Sequence, residues 1–167
     1  DKDGKAQIAD LPLGTYKAVE KTAPEGFVLN EEAQTVTFSY KDQKTPVIEQ
    51  TVAFENDRQK VEVSVVKQDA ENETVVAGAE FGLYAKEDIL AHGEVAVKAD
   101  TLLGKAVSNE DGKAVFELDL PFGSYYIKEL AAPAGYVSSF ETLEVTAKYQ
   151  GQDVKVVKLE SIFKNQP

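Results

Sequence analysis

The sequence predicts an all-β protein built as a β-sandwich, and three observations lead to that prediction. Apolar and polar residues alternate within short segments, as at Val61, Val63 and Val65. Turn signals such as Asp111-Gly112 separate those segments. The third observation is an internal repeat. Alternation with a period of two is typical of half-buried strands, and many short strands joined by turns are typical of a sandwich.

The strands are predicted in order from their β-branched and aromatic content. The predicted strands after 61–65 cover residues 79–84, 114–118, 124–130, 141–148 and 154–164. For residues 86–97 the sequence leaves two alternatives open, a short helix or a long loop.

The repeat relates residues 11–57 to residues 120–166 at a constant offset of 109 positions. It predicts one complete sandwich, residues 58–167 (the second unit), preceded by the C-terminal half of another, residues 1–57 (the first unit). Nothing in the first unit corresponds to residues 58–108. Either the missing strands were cut away or they come from elsewhere, and the sequence does not decide between these. The matched pairs are Leu11-Pro12 with Leu120-Pro121, Gly14 with Gly123, Tyr16 with Tyr125, Glu20 with Glu129, Ala23-Pro24 with Ala132-Pro133, Gly26 with Gly135, Phe54 with Phe163 and Asn56 with Asn165.

Composition excludes several classes of function. The net charge of −11, from 29 acidic and 18 basic residues, argues against a nucleic-acid partner. The chain has no cysteine, so disulfides and thiol catalysis are excluded. Its single histidine, His92, is expected in a loop, and we expect neither a metal site nor a cofactor.

No segment of the sequence has the length of a membrane span or the form of a signal peptide. Because the chain begins at Asp1, we expect it to be an internal piece of a longer protein. Targeting and anchoring signals would then lie outside this piece.

Three polar residues fall on the inward faces of predicted strands. Lys67 continues the face of Val61, Val63 and Val65, and Asn165 shares a face with Phe163. Glu129 shares a face with Tyr125 and Ile127. Unpaired charges are expensive to bury, so we expect the three side chains to meet.

If the three side chains meet, they can form a covalent cross-link. Burial favours a neutral Lys67 amine, which is a nucleophile, and the carboxamide of Asn165 is its electrophile. Glu129, if protonated, would polarise the amide carbonyl and then pass a proton to the departing ammonia. The product would be a Lys67–Asn165 amide, formed once per molecule.

At these residues the sequence resembles the B-type domains of collagen adhesins and Gram-positive pilins, the SpaA-like or prealbumin-like sandwich with an immunoglobulin-like architecture. The resemblance covers nearly all of the second unit. It implies an intramolecular isopeptide bond between Lys67 and Asn165, with Glu129 as the catalytic acid. The segments that carry it are 63–69 (VSVVKQD), 77–84 (AGAEFGLY), 119–129 (DLPFGSYYIKE), 132–136 (APAGY) and 163–165 (FKN).

The first unit matches the family only in part. Glu20 and Asn56 occupy the acid and amide positions, but the lysine-bearing strand is absent. No bond within the chain is expected there, and Lys2 or Lys5 could substitute only by an accident of geometry.

The resemblance implies a structural stalk or spacer module of a bacterial cell-surface adhesin or pilin, and not a turnover enzyme. Its partners would be neighbouring domains of the same surface protein. Its location would be extracellular, on a cell wall to which other regions anchor it. The alternative is an adhesin module that binds a host matrix protein or glycan, with Tyr84, Tyr149 or Phe140 contributing. An enzyme on the same sandwich is the third class, and the single histidine argues against it.

Overall fold

The computed structural model describes residues 1–91 and 93–167, and His92 lies outside the described residues. The described residues form eleven strands and no helix, so none of them belongs to a helix that could cross a membrane. The strands are β1 (Gly14–Ala18), β2 (Gln34–Phe38), β3 (Lys60–Asp69), β4 (Glu80–Ala85), β5 (Ile89–Ala91), β6 (Glu94–Val97), β7 (Leu102–Val107), β8 (Lys113–Phe116), β9 (Gly123–Ala131), β10 (Thr142–Ala147) and β11 (Val156–Asn165).

Two main sheets form the sandwich of the second unit, and the predicted all-β sandwich is confirmed. One sheet has four strands in the order β10-β9-β4-β7, and the other has three in the order β11-β3-β8. Alternate side chains of each strand point into the space between the sheets. The buried apolar core includes Val61, Val63 and Val65 of β3, Phe81 and Leu83 of β4, Tyr125 and Ile127 of β9, and Val157 and Phe163 of β11.

The second unit begins and ends in neighbouring strands. β3 pairs with β11 in parallel over ten positions, from Lys60 opposite Val156 to Asp69 opposite Asn165. On its other side β3 pairs antiparallel with β8. The first strand of the unit is therefore central in its sheet, and the last strand lies at the edge beside it.

A tyrosine closes the turn that precedes β9. The Tyr125 hydroxyl donates to the carbonyl of Pro121 at 2.5 Å, and burial raises the pKa of Tyr125 to about 12. The first unit repeats this contact, because Tyr16 donates to the carbonyl of Pro12 at 2.7 Å. The repeated Leu-Pro turn is thus a strand entry that a hydroxyl four residues later holds in place.

Residues 86–97 differ from both sequence expectations. They contain β5 and β6, which pair antiparallel as a small separate sheet, so a helix or a long loop was the wrong prediction. Ile89 of this pair is buried against the core, whereas Leu90 and Val95 are exposed. Strand β7, which the sequence did not predict either, follows as the outer strand beside β4.

The first unit is an incomplete layer. β1 and β2 form an antiparallel pair, and Tyr16 and Ala18 on its inward face are only half-buried. Residues 47–56 correspond to β11 by the repeat, yet they form no strand. The physical reason is that the first unit contains no equivalent of β3 to supply their ladder.

Candidate functional site

The three predicted residues come from three strands and two sheets. Lys67 lies near the end of β3, and Asn165 is the last residue of β11. In the parallel register Lys67 is opposite Phe163, so Asn165 lies two residues further along the same face. Glu129 belongs to β9 of the facing sheet. The site therefore sits at one end of the sandwich, where the two sheets meet.

Lys67 is the most constrained of the three side chains. It is fully buried, at 0% exposure, and its Nζ donates to the carbonyl of Gln68 at 2.9 Å. The same Nζ lies 5.2 Å from the centre of the Tyr136 ring. Burial lowers the pKa of Lys67, although the negative charges of Glu129 and Asp69 act in the opposite direction.

Glu129 and Asn165 are directly hydrogen-bonded. The Nδ2 of Asn165 lies 2.9 and 2.8 Å from the two carboxyl oxygens of Glu129, and it donates to the carbonyl of Val137 at 2.7 Å. The amide of Ser139 donates to Glu129 as well, at 3.0 Å. Asn165 is 2% exposed, and its Oδ1 has no hydrogen-bond partner among the described residues. The carboxyl group thus adjoins the nitrogen that would leave as ammonia.

Two further residues shape the surroundings of Lys67, and sequence reasoning did not identify them. Asp69 is buried, and it accepts bonds from the amides of Glu71 and Asn72 through one oxygen. Its other oxygen accepts a bond from the Tyr136 hydroxyl at 2.9 Å. These contacts, led by the Glu71 amide, lower the pKa of Asp69. Extending the alternation of β3 by one more step would have placed Asp69 on the inward face.

The first unit reproduces the acid–amide half of this site. Asn56 Nδ2 donates to Glu20 at 2.6 Å and to the carbonyl of Val28 at 3.0 Å. The amide of Asn30 donates to Glu20 at 2.8 Å. Each of these four residues lies 109 positions before its counterpart in the second unit. The repeat therefore extends from the sequence to individual hydrogen bonds.

No lysine completes the first half-site within the described residues. Lys2 and Lys5 are both exposed, and neither side chain forms a hydrogen bond with Glu20 or Asn56. The repeat predicts that the first unit lacks the equivalent of β3 that would carry a lysine.

The three aromatic residues considered for ligand binding have separate surroundings. Tyr84 stacks on Tyr126 with ring centres 5.1 Å apart, and Lys128 lies over both rings. Tyr149 lies against Phe122 at the junction of the two units. Phe140 is 98% exposed. They do not form a shared aromatic patch.

Comparison with known proteins agrees with this architecture. The SpaA prealbumin-like fold domain matches residues 1–53 and 61–161, which confirms the family resemblance. The TIE protein of Bacillus anthracis is 28% identical, with a TM-score of 0.61 over 96% of this chain. The major pilin SpaD of Corynebacterium diphtheriae is 20% identical over 65% of the chain, with a TM-score of 0.49. The major pilin subunit BcpA of Bacillus cereus is 23% identical over 65% of the chain, with a TM-score of 0.43.

The chain spans only part of these proteins. It covers 26% of the TIE protein and 30% of each of the two pilins. No curated protein matches the chain.

Proposed function

Because the chain belongs to the SpaA family of prealbumin-like fold domains, we propose that it is a stalk module of a bacterial surface protein, stiffened by a Lys67–Asn165 isopeptide bond. The observation that carries the proposal is the burial of Lys67 beside the hydrogen-bonded pair of Glu129 and Asn165. A buried lysine without a covalent or ionic role is costly to the fold, so its position supports a function.

The proposed reaction is an amide exchange. The neutral Nζ of Lys67 attacks the Cγ of Asn165, and a new C–N bond forms. Glu129 takes the proton that the amine loses and gives it to Nδ2 of Asn165. The bond between Cγ and Nδ2 then breaks, and ammonia leaves as the Lys67–Asn165 amide forms.

The contacts favour one of the two roles considered for Glu129. Both of its oxygens lie within hydrogen-bond distance of Nδ2, so it is placed to protonate the leaving nitrogen. Its described hydrogen bonds do not include the Oδ1 of Asn165, which is where an acid that polarises the carbonyl would bind. We therefore propose that Glu129 is a proton shuttle.

The proposed bond would form once in each molecule, without turnover. The product amide would join β3 to β11, and the lysine and asparagine would both be consumed. A shallow cleft beside Asn165, lined by Val137, Ser139 and Phe140, offers a route by which ammonia could leave.

We propose that neighbouring modules of the same extracellular surface protein are the main partners.

The first test is the intact mass of the denatured chain. We expect a mass one ammonia below that of the sequence, and fragmentation should place the link at Lys67 and Asn165. The Lys67→Arg variant should show the full mass of its own sequence, with no loss of ammonia. The arginine guanidinium stays protonated and therefore does not attack Asn165. A full sequence mass in the unsubstituted, folded chain would contradict the proposed bond, while leaving the stalk function open.

The repeat provides a matched control for Glu129. Glu129→Gln should keep the fold and abolish the loss of ammonia, since glutamine cannot shuttle the proton. Glu20→Gln makes the same change in the half-site without a lysine, and it should leave the loss of ammonia intact. If both variants link at the normal rate, Glu129 has no part in the reaction.

A further inference from the structure

One segment that follows β9 contacts every residue of the site. We call residues 133–139 the cover segment. Two of its contacts are hydrogen bonds of its main chain, and the third is made by an aromatic ring. The contacts are the Val137 carbonyl with Asn165 Nδ2 at 2.7 Å, the Ser139 amide with Glu129 at 3.0 Å, and the Tyr136 ring with Lys67 Nζ at 5.2 Å from the ring centre. Tyr136 is therefore the residue through which the cover segment meets the amine.

The Tyr136 ring is held at both ends. At its base, the amide of Tyr136 donates to the carbonyl of Pro133 at 3.1 Å, in a turn where Gly135 has φ +88°. Glycine adopts this left-handed backbone readily. At the tip, the hydroxyl donates to the buried carboxylate of Asp69 at 2.9 Å. The turn and the carboxylate together keep the ring over Lys67.

The ring lies where water would otherwise reach the amine. Lys67 is two residues from the end of β3, yet it is 0% exposed, whereas Tyr136 is half-buried. A protonated amine has three N–H donors. Among the described residues, Nζ donates only to the carbonyl of Gln68, at 2.9 Å. Water would ordinarily accept the remaining bonds, so covering the amine disfavours its protonated form.

The ring has two opposing effects on the amine. Its face attracts a cation, and its bulk excludes the water that would hydrate that cation. An aromatic face replaces only part of the hydration that a buried ammonium loses, so the exclusion of water is the larger effect. The direction for Lys67 agrees, because burial lowers its pKa by more than Glu129 and Asp69 raise it.

We propose that Tyr136 is a positioning residue for the proposed amide formation: Asp69 holds its hydroxyl, and the ring held in this way keeps water from the Lys67 amine. The reaction itself rests on the proposed function, but the exclusion of water can be measured in a chain that cannot link. The bond to Asp69 raises the pKa of Tyr136, so the hydroxyl keeps its proton and Tyr136 acts only through Lys67.

The first measurement uses the full chain with Asn165→Ala, which cannot link. It retains the titratable groups that face the amine, which are Glu129, Asp69 and Tyr136. NMR signals of the Lys67 ε-methylene follow its titration. Tyr136→Ser should raise the midpoint by about one pH unit or more towards 10.5, because water then reaches the amine. Tyr136→Phe keeps the ring but releases its tip, and it should raise the midpoint by less.

Tyr126 provides the matched control. Its hydroxyl donates to Asp100 at 2.8 Å, and Lys128 Nζ lies 5.1 Å from its ring centre, so it makes the same two kinds of contact as Tyr136. Lys128 is exposed, however, and the pair lies away from the site. Tyr126→Ser should therefore leave the titration midpoint of Lys67 unchanged.

The second measurement uses the chain that retains Asn165. Tyr136→Ser should move the pH profile of ammonia loss to higher pH by the same amount, and the rate at high pH should stay nearly the same. A purely structural role would lower the rate at every pH without moving the profile.

The outcomes separate this proposal from the proposed function. A Lys67 midpoint that Tyr136→Ser leaves unchanged or lowers would overturn the proposal, and a lowered one would show that the ring acts chiefly as a partner of the cation. An equal shift from Tyr126→Ser would overturn it too. A full sequence mass in the unsubstituted chain would remove the reaction, and with it this role of Tyr136, even where the titration shows that the ring excludes water.

Discussion

Opposing influences act on the amine of Lys67. Burial lowers its pKa from the ordinary value of 10.5, and the charges of Glu129 and Asp69 limit that fall. The neutral fraction of the amine determines how often an attack on Asn165 can begin. The charge on Asp69, which is fixed by amide bonds from Glu71 and Asn72, therefore tunes the proposed reaction from outside the reacting groups.

Asp69→Asn should move the pH profile of bond formation to lower pH. Removing a negative charge disfavours the protonated amine, so the pKa of Lys67 falls further and more amine is neutral at a given pH. The measurement refolds unlinked chain from denaturant at a series of pH values and follows the loss of ammonia by mass. Asp153→Asn, at an exposed position away from the site, should not move the profile. Equal behaviour of the two variants would contradict the role of Asp69.

The inward positions of Lys67 and Asn165 could be predicted because strand alternation fixes which side chains face the core. Asp69 obeys the same rule, but the prediction stopped one step short of it. The carbonyl of Val137 and the amide of Ser139 could not be found in this way. The pattern of side chains does not predict which main-chain groups reach a site. The turn after β9 brings the Val137 carbonyl and the Ser139 amide to it.

Among the elements, the strands that bury one alternating face were predictable, whereas β5, β6 and β7 were not. β3, β4, β9, β10 and β11 each bury one face, so alternation marks them. In the β5–β6 pair only Ile89 is buried, and β7 contains Gly104 and Lys105. Segments with so little buried surface show no alternation of apolar and polar residues. For this reason the sequence left a short helix and a long loop as alternatives for residues 86–97.

The turn before β8 gives a prediction at this scale. Gly112 has φ +71°, and a Cβ there would lie 2.8 Å from the Lys67 carbonyl and from Val75 Cβ. Gly112→Ala should cost about 1–2 kcal/mol for left-handed backbone and about 1–3 kcal/mol more for overpacking. Denaturant unfolding of the Lys67→Arg chain measures this without interference from the proposed bond.

Gly4 is the matched control for this prediction. It has the same φ of +71°, but nothing lies within 4 Å of an added Cβ, because the first unit lacks the strand that would contact it. Gly4→Ala should therefore leave the main unfolding transition almost unchanged. Equal losses in the two variants would show that contact with β3 does not matter.

At the scale of the whole molecule, the repeat predicts an incomplete first unit, and the inward face of the β1–β2 pair is only half-buried. What the sequence could not predict is how the units meet. The junction uses main-chain atoms of residues 21–29 and a glutamine in a loop, neither of which stands out in a strand pattern. The offset of 109 pairs Tyr40 with Tyr149 and Gln43 with Gln152, but only the folded arrangement shows that Tyr149 and Gln152 contact residues 21–29.

The proposed bond should limit how far the molecule extends under force. Closing the 98-residue separation between Lys67 and Asn165 would stabilise the second unit by about 4–5 kcal/mol on the loop-entropy model. Glu129→Gln, which prevents the bond, should lower the melting temperature. In single-molecule pulling, the unlinked Glu129→Gln variant should extend by roughly 320–350 Å more on unfolding than the linked chain. Glu20→Gln should behave as the unsubstituted chain, and equal extension of all three would rule out a covalent link.

The parallel pairing of β3 with β11 also determines where the chain enters and leaves the second unit. Both strands run the same way for ten residues, so the chain enters the second unit at one pole and leaves it at the opposite one. Each strand advances roughly 33 Å along that axis. A protein assembled from such units would lengthen by a fixed step with each copy, so gene duplication alone would set its length.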